Sequence, residues 1–531
     1  MSVNASFWEQ FESKQKQHRH GTILVDMMTT HPGYLMTKAI TAKYLQHHLN
    51  VPIIAVLWQT TGNIGELVAR SYGIGQRVYL NQQPQFSSDW PSYLASLKEA
   101  ACIQDIRAAR EQLLSFRYQD VLLGDLAYDT YLRNSGNGSV FRPDEEVFHY
   151  FEQTLRNFLF FSKLIEQTDT IAVVVGHTVY ASYGTMVRAA LKKQIPVYSV
   201  PRISNPLPLK KYQYLSQMRE YELRIPPDLF DAIYKRSPDK CIQRGKMYIE
   251  KRFTGHEPYQ YIRSYDHTRE HLTPEAFRDQ FHLDQRCIVC IMSHIFPDAP
   301  HKAESLLFND YYEWLEETLH IAANIKDVIW LVKEHPDLRH YHSNQTAEQL
   351  VASFSAQYDH IRFLPGEINT ASLFHVTHAL VTVTGTAALE FATLGIPVII
   401  AGKSFYCGHG FTYSAKSQDQ YRDLLHRCAT LEPLTDEQVR RACAFSCVFN
   451  ELIRVPCTFI PDIVRSELEK IDVGEFYDDA TRRLQQNCIE DDPFFINFNR
   501  FMSNGDHLLM NYQLLEEITS CTCSSTPQLS A

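Results

Sequence analysis

The sequence predicts an α/β protein with two Rossmann-like domains that face each other across a cleft, followed by a mainly helical C-terminal segment. Short runs of apolar, β-branched residues alternate with helical patterns in two separate series, which is typical of βαβ units around a parallel sheet. An irregular stretch lies between the two series. A chain of 531 residues also exceeds the size at which a single core stops growing, so at least two domains are expected.

The first series predicts an N-terminal Rossmann-like domain over residues 1–200. It opens with the strand "TILVDM", the helix "YLMTKAITAKYLQHH" and the strand "PIIAVLW". It ends with the strands "TIAVVVG" and "IPVYSV", which flank the helical pattern "YGTMVRAALKKQ". Strands that alternate with helices in this way build a doubly wound sheet.

Residues 201–285 are rich in proline, tyrosine and charge, and we interpret them as an irregular linker or cover without a strand. The second series, over 286–430, predicts another Rossmann-like domain. Its strand candidates are "CIVCIMSHIF", "DVIWLVKEHP", "IRFLP", "ALVTVTG" and "IPVIIAG". Residues 431–531 show mainly helical patterns.

Composition narrows the classes of function. With 44% hydrophobic and 21% charged residues, the chain has the make-up of a soluble globular protein. A net charge of -10 argues against a nucleic-acid partner, which requires a basic face. The 12 cysteines form no paired CxxC sets, and neither a signal peptide nor an apolar run of about 20 residues is visible. We therefore expect a cytoplasmic protein, either free or held at the inner face of the cytoplasmic membrane.

The stretch "VTVTGTAALEFATLGIPVIIAGKSF" joins a buried strand to a helix through Thr384, Gly385 and Thr386. Unpaired N–H groups at such a junction bind anions, and Thr386 could cap the helix. The alternative is that the triplet only caps a crossover helix. Glu390 lies in an otherwise apolar helix, where a carboxylate could accept both hydroxyls of a ribose; a solvated glutamate is the alternative.

A second candidate group lies in "WLVKEHPDLRH", where a strand ends at proline. Alternation along the strand places Lys333 and His335 on the same side, so that both can face one ligand. A lysine and an imidazole together suit the charge of a diphosphate or a sugar phosphate. The alternative is a solvated strand end.

Two further stretches are candidates for loops at the cleft. In "SHIFPDAPH", His294, Asp298 and His301 raise the idea of a metal site, but a polar loop over the cleft explains them equally well, and we expect no metal. In "GKSFYCGHGFT", Phe405 and Tyr406 could close over a base or a sugar.

Two stretches of the first series could supply catalytic residues. In "GDLAYDTYLR", Asp125 or Asp129 could act as general base or orient a sugar hydroxyl. The alternative is helix capping together with an ion pair to Arg133. In "GHTVYASYGTMVR", His177 follows directly after a strand, where open α/β sheets bind ligands.

These motifs together resemble those of the capsule polysaccharide biosynthesis proteins, bacterial glycosyltransferases of GT-B architecture. The resemblance rests on "VKEHP" and on "TVTGTAALEFATLGIPVIIAGKSFYCGHGFT", and is looser for "GDLAYDTYLR" and "GHTVYASYGTMVRAAL". It is strongest over residues 287–412. The group includes transferases of the acidic sugar Kdo that use a cytidine nucleotide donor, and the His-Pro pair is similar to that of bacterial polysialyltransferases.

The resemblance implies a transferase that moves a sugar from a nucleotide donor, CMP-linked in some members, to a surface polysaccharide or glycolipid. It implies a donor site in the second domain, an acceptor site in the first, and no metal or other resident cofactor. Alternatives are a CDP-polyol phosphotransferase of similar fold, an epimerase of the same architecture, or a non-catalytic sugar- or nucleotide-binding partner in a glycan assembly complex. The sequence leaves the sugar, the base, the linkage and the oligomeric state open.

Overall fold

A computed structural model describes residues 2–13, 20–59, 64–80, 90–255, 265, 271–302, 305–461 and 473–520. The predicted helical C-terminal segment falls in part on 462–472 and 521–531, which lie outside the described residues. The described part contains two six-stranded sheets and two short two-stranded ones. None of its helices is both long and apolar enough to cross a membrane.

The N-terminal half builds the first sheet, in the order β3-β2-β1-β6-β7-β8. The strands of this half are β1 (Thr22–Asp26), β2 (Ile53–Leu57), β3 (Gln76–Tyr79), β4 (Arg117–Tyr118), β5 (Val121–Leu122), β6 (Thr170–Val175), β7 (Val197–Ser199) and β8 (Lys210–Tyr212). Of these, β4 and β5 form a separate two-stranded sheet. The helices of this half are α1 (Ser2–Ser13), α2 (Pro32–Leu49), α3 (Ile64–Ser71), α4 (Trp90–Ala101), α5 (Ile106–Leu114), α6 (Gly124–Ser135), α7 (Glu145–Gln167) and α8 (Thr185–Lys192). All pairings in the six-stranded sheet are parallel except the last, between β7 and β8.

The prediction that residues 201–285 contain no strand is wrong at β8. This strand pairs antiparallel with β7 and closes the edge of the first sheet. Its sequence "KKY" hid it, because an edge strand tolerates charged residues that a central strand does not. The same stretch also forms the helices α9 (Pro227–Arg236), α10 (Pro238–Phe253) and α11 (Pro274–Gln280).

The second half builds a fully parallel sheet in the order β12-β11-β9-β13-β14-β16. The strands are β9 (Cys287–Met292), β10 (Ser305–Leu306), β11 (Val328–Lys333), β12 (Ile361–Leu364), β13 (Thr377–Thr382), β14 (Val398–Ile400), β15 (Gly402–Lys403) and β16 (Tyr413–Ser414). The helices are α12 (Tyr311–Ala322), α13 (Ala347–Ser355), α14 (Ala387–Ala392), α15 (Gln418–His426), α16 (Asp436–Cys447), α17 (Val473–Gln486), α18 (Pro493–Asn504) and α19 (Tyr512–Thr519).

Both large sheets follow the strand order of a doubly wound α/β fold, so the predicted fold class is confirmed. In each sheet the order reverses beside the first strand, between β1 and β6 and between β9 and β13. The central strands are buried on both faces, which explains their continuous apolar sequences. Open sheets of this kind bind ligands at the carboxyl ends of the strands that flank the reversal.

The spacing of "TLGIPVII" has a structural reason at Gly395. Its φ of 84° is a left-handed conformation that ends α14 and turns the chain into β14. The N–H groups of Gly395 and Ile396 donate to the carbonyls of Ala392 and Phe391. Glycine adopts this conformation without the strain that a Cβ would cause.

The C-terminal helices return to the N-terminal half. The hydroxyl of Tyr44 on α2 donates to Asp492 at the start of α18 at 2.8 Å. Tyr44 also packs on the rings of Phe494, Phe495 and Phe498. The last helices therefore cover the face of α2 that would otherwise be apolar and open.

Candidate active site

The loops that follow β9, β11 and β13 line an open cavity at the switch point of the second sheet, with about 740 Å³ of empty space that extends into solvent. It is lined by six residues that the sequence predicts for the donor site or the cleft loop: His294, Lys333, His335, Gly385, Thr386 and Glu390. Thr384 lies next to this lining, and its hydroxyl is 3.4 Å from the hydroxyl of Tyr311. The structure thus brings the predicted donor residues together around one space.

His335 lines the cavity, and within the described part of the chain only its Nδ1 has a hydrogen-bond partner. Its Nδ1 accepts a hydrogen bond from the Asp337 N–H at 3.2 Å, so the proton of the neutral ring sits on Nε2. Burial lowers the pKa of His335, with the nearby Lys302 and Lys333 acting in the same direction. The ring is therefore a neutral hydrogen-bond donor rather than a cation at pH 7.

His294 holds the turn after β13 in place. Its Nε2 accepts from the N–H groups of Val383 at 3.4 Å and Thr384 at 3.3 Å. The ring stacks on Tyr311 with a centroid distance of 4.3 Å. Burial lowers the pKa of His294 well below its usual value, which keeps Nε2 available as an acceptor. His294 is thus a positioning residue for the Thr384–Thr386 turn.

The prediction that Thr386 caps the following helix is wrong. Thr386 occupies the N-cap position, but its backbone is helical and its side chain accepts no hydrogen bond from the first turn. The helix α14 is also only six residues long, so its dipole is small. The hydroxyl of Thr386 consequently lies at the cavity without a capping partner.

Glu390 forms part of the cavity wall but is already bound within the protein. Its Oε1 accepts from Arg252 Nε at 2.6 Å, and its Oε2 accepts from the Tyr265 hydroxyl at 2.5 Å. The residue is 4% exposed. Each carboxylate oxygen has further lone pairs, so a contact to a ribose stays a prediction.

Lys333 is committed to the protein backbone. Its ammonium donates to the carbonyls of Ile368 at 2.7 Å and Pro365 at 3.3 Å. At 3% exposure it is a buried cation beneath the cavity floor. It therefore adds positive charge beside His335 rather than a freely moving donor.

A second cavity of about 940 Å³ lies between the two halves. His177, at the carboxyl end of β6, faces Asp298 and Lys302 of the second half across it. Burial and the nearby Lys38 lower the pKa of His177 to about 4, so its ring is neutral at pH 7. The charge of Lys302, which lines this cavity, also lowers the pKa of His294 and of His335 in the first cavity.

Glu222 also lines this second cavity, and among the described residues no cation pairs with it. Its carboxylate accepts from the Thr178 hydroxyl at 2.9 Å and from the Thr178 N–H at 3.2 Å. Burial raises the pKa of Glu222, although Lys302 and Lys210 act against the rise. The sequence "REYELR" gave no hint of this, because a charge-rich stretch in an irregular region is typical of a solvated surface.

Asp125 and Asp129 lie in buried ion pairs, and neither pairs with Arg133 as the structural alternative expected. Asp125 forms a two-pronged bond to Arg188, at 2.6 and 2.7 Å. Asp129 binds His301 Nδ1 at 2.6 Å. Arg188 opposes the effect of burial and lowers the pKa of Asp125, whereas burial raises the pKa of Asp129. The described geometry favours the structural interpretation of both acids.

The cleft-loop candidates divide into two groups. His294 and Asp298 line the cavities, whereas Phe405 and Tyr406 are fully buried, so the expectation that these rings close over a ligand is wrong. Phe405 stacks on Phe449 at 4.4 Å. The buried position follows from the α16 region, which packs over this loop.

His294, Asp298 and His301 are close in the sequence, but in the structure each binds a different partner. His294 binds the turn after β13, Asp298 pairs with Lys302 at 2.7 Å, and His301 pairs with Asp129. Within the described ranges, no three His, Cys, Asp or Glu side chains are arranged to hold a metal ion.

A family model described as capsule polysaccharide biosynthesis protein matches residues 285–452. The resemblance seen in the sequence is confirmed over this segment. The matched residues contain the strands β9, β11 and β13 and the whole of the first cavity except Arg252. A search of curated protein sequences finds no match to the chain.

Similar solved structures come from several bacteria. They include a beta-Kdo 2,4-transferase of Thermosulfurimonas dismutans, at 15% identity over 54% of this chain and 82% of its own, with a TM-score of 0.31. A UDP-GlcNAc 2-epimerase of Neisseria meningitidis has 11% identity over 81% and 99%, with a TM-score of 0.23. A glycosyltransferase of Rickettsia africae has 9% identity over 88% and 100%, with a TM-score of 0.27.

Proposed function

We propose that the chain is a glycosyltransferase that moves a sugar from a nucleotide-activated donor to a bacterial surface polysaccharide or glycolipid. The observation that carries the proposal is the convergence of His335, the Thr384–Thr386 turn and Glu390 on one cavity inside the family-matched segment. A second cavity lies between the two halves.

The first cavity would bind the donor through its phosphates. The Nε2–H of His335 can donate to a phosphate oxygen, and the hydroxyl of Thr386 can donate beside it. The buried charge of Lys333 favours an anion at this point. As the bond between sugar and phosphate breaks, negative charge grows on the leaving oxygen, where fixed donors are most effective.

The second cavity would hold the acceptor, with Glu222 as the base. The acceptor hydroxyl oxygen forms the new bond to the sugar carbon and gives its proton to the Glu222 carboxylate. The bond from that carbon to the donor phosphate breaks, and the nucleotide leaves with the electron pair. A raised pKa suits Glu222 to this task, since a base works best when its pKa approaches the working pH.

His177 would lie beside the acceptor as a neutral ring. It contacts Tyr34 at a centroid distance of 4.7 Å and Tyr183 at 5.5 Å, and it lines the same cavity as Glu222. Its low pKa suits hydrogen bonding to a sugar hydroxyl rather than binding of an anion. We further propose that the reaction uses no resident metal and takes place in the cytoplasm, at or near the inner membrane face.

The test begins with a nucleotide panel. Thermal shifts with CMP, CDP, UDP and GDP identify the base, and transfer and hydrolysis of the matching sugar nucleotides and CDP-polyols are then measured. In the His335→Ala variant we expect transfer to fall by at least about 100-fold, because a donor to the leaving phosphate is lost. His375→Ala, at an exposed site, is the matched control and should retain full activity.

Each alternative gives a different result in this experiment. Nucleotide binding without turnover would indicate a non-catalytic binding partner. Conversion of the nucleotide sugar without an acceptor would indicate an epimerase. Turnover of a CDP-polyol but of no sugar nucleotide would indicate a phosphotransferase. Full transfer by His335→Ala would contradict the assigned donor site.

A further inference from the structure

A third cavity, of about 670 Å³, lies in the N-terminal half and plays no part in the proposed transfer. It is enclosed by the hairpin of β4 and β5, by α8, and by the short helical turn Leu215–Arg219. Three arginines line it: Arg117, Arg188 and Arg219. Asp120 is the only acid in the lining.

The acids near this cavity are already neutralised by other bonds. Asp120 pairs with Lys192 at 3.1 Å, and Asp125 is held by both prongs of Arg188. Arg117 donates only to a neutral acceptor, the carbonyl of Asp120, at 2.7 Å. Two guanidinium groups, those of Arg117 and Arg219, therefore have no carboxylate bound to them among the described residues.

Arg219 is the unusual member of the set. It is half-buried, and its Nε is shielded from solvent without a hydrogen-bond acceptor. The Nε of Arg188 is in the same condition. A shielded, unsatisfied donor costs free energy, and a cationic one costs more, so an anion in the cavity would be stabilised by both side chains.

The walls add a second property. Val121, Leu122, Leu215 and Met218 add apolar surface to the lining beside the arginines. A free inorganic ion would leave these apolar side chains in contact with water. The cavity therefore suits an anionic group that is joined to a less polar body, and the planar, multi-donor guanidinium matches the oxygens of phosphate.

We propose that this cavity binds the phosphate group of an organic phosphate ester, with Arg219 as its principal ligand and Arg117 at the mouth. Such a site stands out in a chain whose net charge is -10. The ester can be a soluble phosphate or the head group of a phospholipid, since both present the same oxygens. The proposal does not depend on the glycosyltransferase assignment.

The test measures phosphate binding by calorimetry in the full-length chain with inorganic phosphate as probe. Each variant is also measured in the His335→Ala background, which removes phosphate bound at the second-half cavity. We expect Arg219→Gln to weaken binding about tenfold and Arg117→Gln about threefold, in proportion to the charge-assisted bonds lost. Arg142→Gln, an equal charge change at an exposed site, should stay within about twofold of the parent.

A second variant guards against a folding artefact. Ser216→Asp places a carboxylate at an exposed position of the lining, where it can pair with Arg219 and compete with phosphate. We expect it to abolish phosphate binding at this cavity while unfolding at the same temperature as the parent. Phosphate affinity that is unchanged in both Arg219→Gln and Ser216→Asp would overturn the proposal.

Vesicles separate the two sources of phosphate. If vesicles of an anionic phospholipid retain the chain, zwitterionic ones do not, and Arg219→Gln abolishes retention, the ester is a lipid head group. If inorganic phosphate binds in an Arg219-dependent manner but neither vesicle does, the ester is soluble. Absence of phosphate binding by the parent up to about 50 mM would contradict the site altogether.

Discussion

At the switch point of the second sheet, His335 and the turn at Thr384–Thr386 face open space, whereas at the first sheet Asp26 and Lys38 bind each other at 2.8 Å. Asp125 and Asp129, which resemble catalytic acids in the sequence, are likewise paired inside the first half. The same strand order thus leaves His335 and Thr386 at an open cavity in one sheet, while it pairs Asp26 with Lys38 in the other.

This difference shows why some motif residues indicate a ligand site and others only a structural ion pair. A histidine that follows a strand and precedes proline is held at the sheet edge, where the fold leaves room for a ligand. An aspartate inside a buried helix, such as Asp129 on α6, must find a partner because an unpaired buried charge is too costly. In the first half, Glu222 lines the cavity between the halves, and no cation pairs with it among the described residues. No sequence motif pointed to this residue.

Glu222→Gln should have the largest effect. Glutamine keeps the shape of the side chain and can still accept the hydrogen bonds from Thr178, but it cannot take a proton from the acceptor. We therefore expect transfer to fall by about 10²- to 10⁴-fold. Nucleotide binding should change by less than about twofold, since Glu222 lies in the second cavity. Single-turnover kinetics and calorimetry check the two parts; a normal rate in this variant returns the search to Asp129.

Removal of the Asp125 carboxylate tests the other side of the comparison. We expect Asp125→Ala to lower the free energy of unfolding by about 3–5 kcal/mol, because Arg188 is left buried and unpaired. The control Asp419→Ala breaks an exposed pair with Arg422 and should cost less than about 1 kcal/mol. Urea unfolding distinguishes them, and a stable but inactive Asp125→Ala would mean that this acid is catalytic.

The pH dependence of the rate gives an independent measurement on Glu222. Burial raises its pKa above the usual 4.5, while the Thr178 hydrogen bonds, Lys302 and Lys210 lower it. Because the base must be ionised, the rate should rise with pH through this raised pKa and level off above it. Glu222→Gln should remove that rise, and a rise that persists in the variant would assign it to another group.

Glu390→Ala should have a smaller effect on binding. The change removes any ribose contact and the ion pair to Arg252, and we expect nucleotide affinity to fall about tenfold. Arg252→Gln is the matched comparison: it disturbs the same pair but keeps the carboxylate. If both variants bind nucleotide equally, the role of Glu390 is to hold the cavity wall rather than the ribose.

Thr386→Ala should have the smallest effect on stability. Since its hydroxyl caps nothing, the free energy of unfolding should change by less than about 0.5 kcal/mol. Any loss of nucleotide affinity then reports a direct contact to the ligand. A larger loss of stability would mean that the hydroxyl does cap the helix in solution.

The sequence predicted the central strands of both sheets because central parallel strands are continuous apolar runs, and "TIAVVVG" is one of them. It predicted that His335, Gly385, Thr386 and Glu390 meet around one cavity, because strand ends at a switch point meet in space. It missed Arg252 and Tyr265 as partners of Glu390, since those bonds span 138 and 125 residues and no local pattern encodes them. It missed β8 because the charged residues of this edge strand resemble a loop sequence.

The return of the last helices to α2 has a consequence for biosynthesis. Tyr44 is made early, yet its hydroxyl partner Asp492 and its ring neighbours on α18 leave the ribosome more than 400 residues later. Until then the outer face of α2, with Tyr44 and the adjoining Trp8, is exposed to water and to other nascent chains. We therefore expect the N-terminal half to depend on chaperones during synthesis, and fragments that stop before α18 to aggregate when expressed alone.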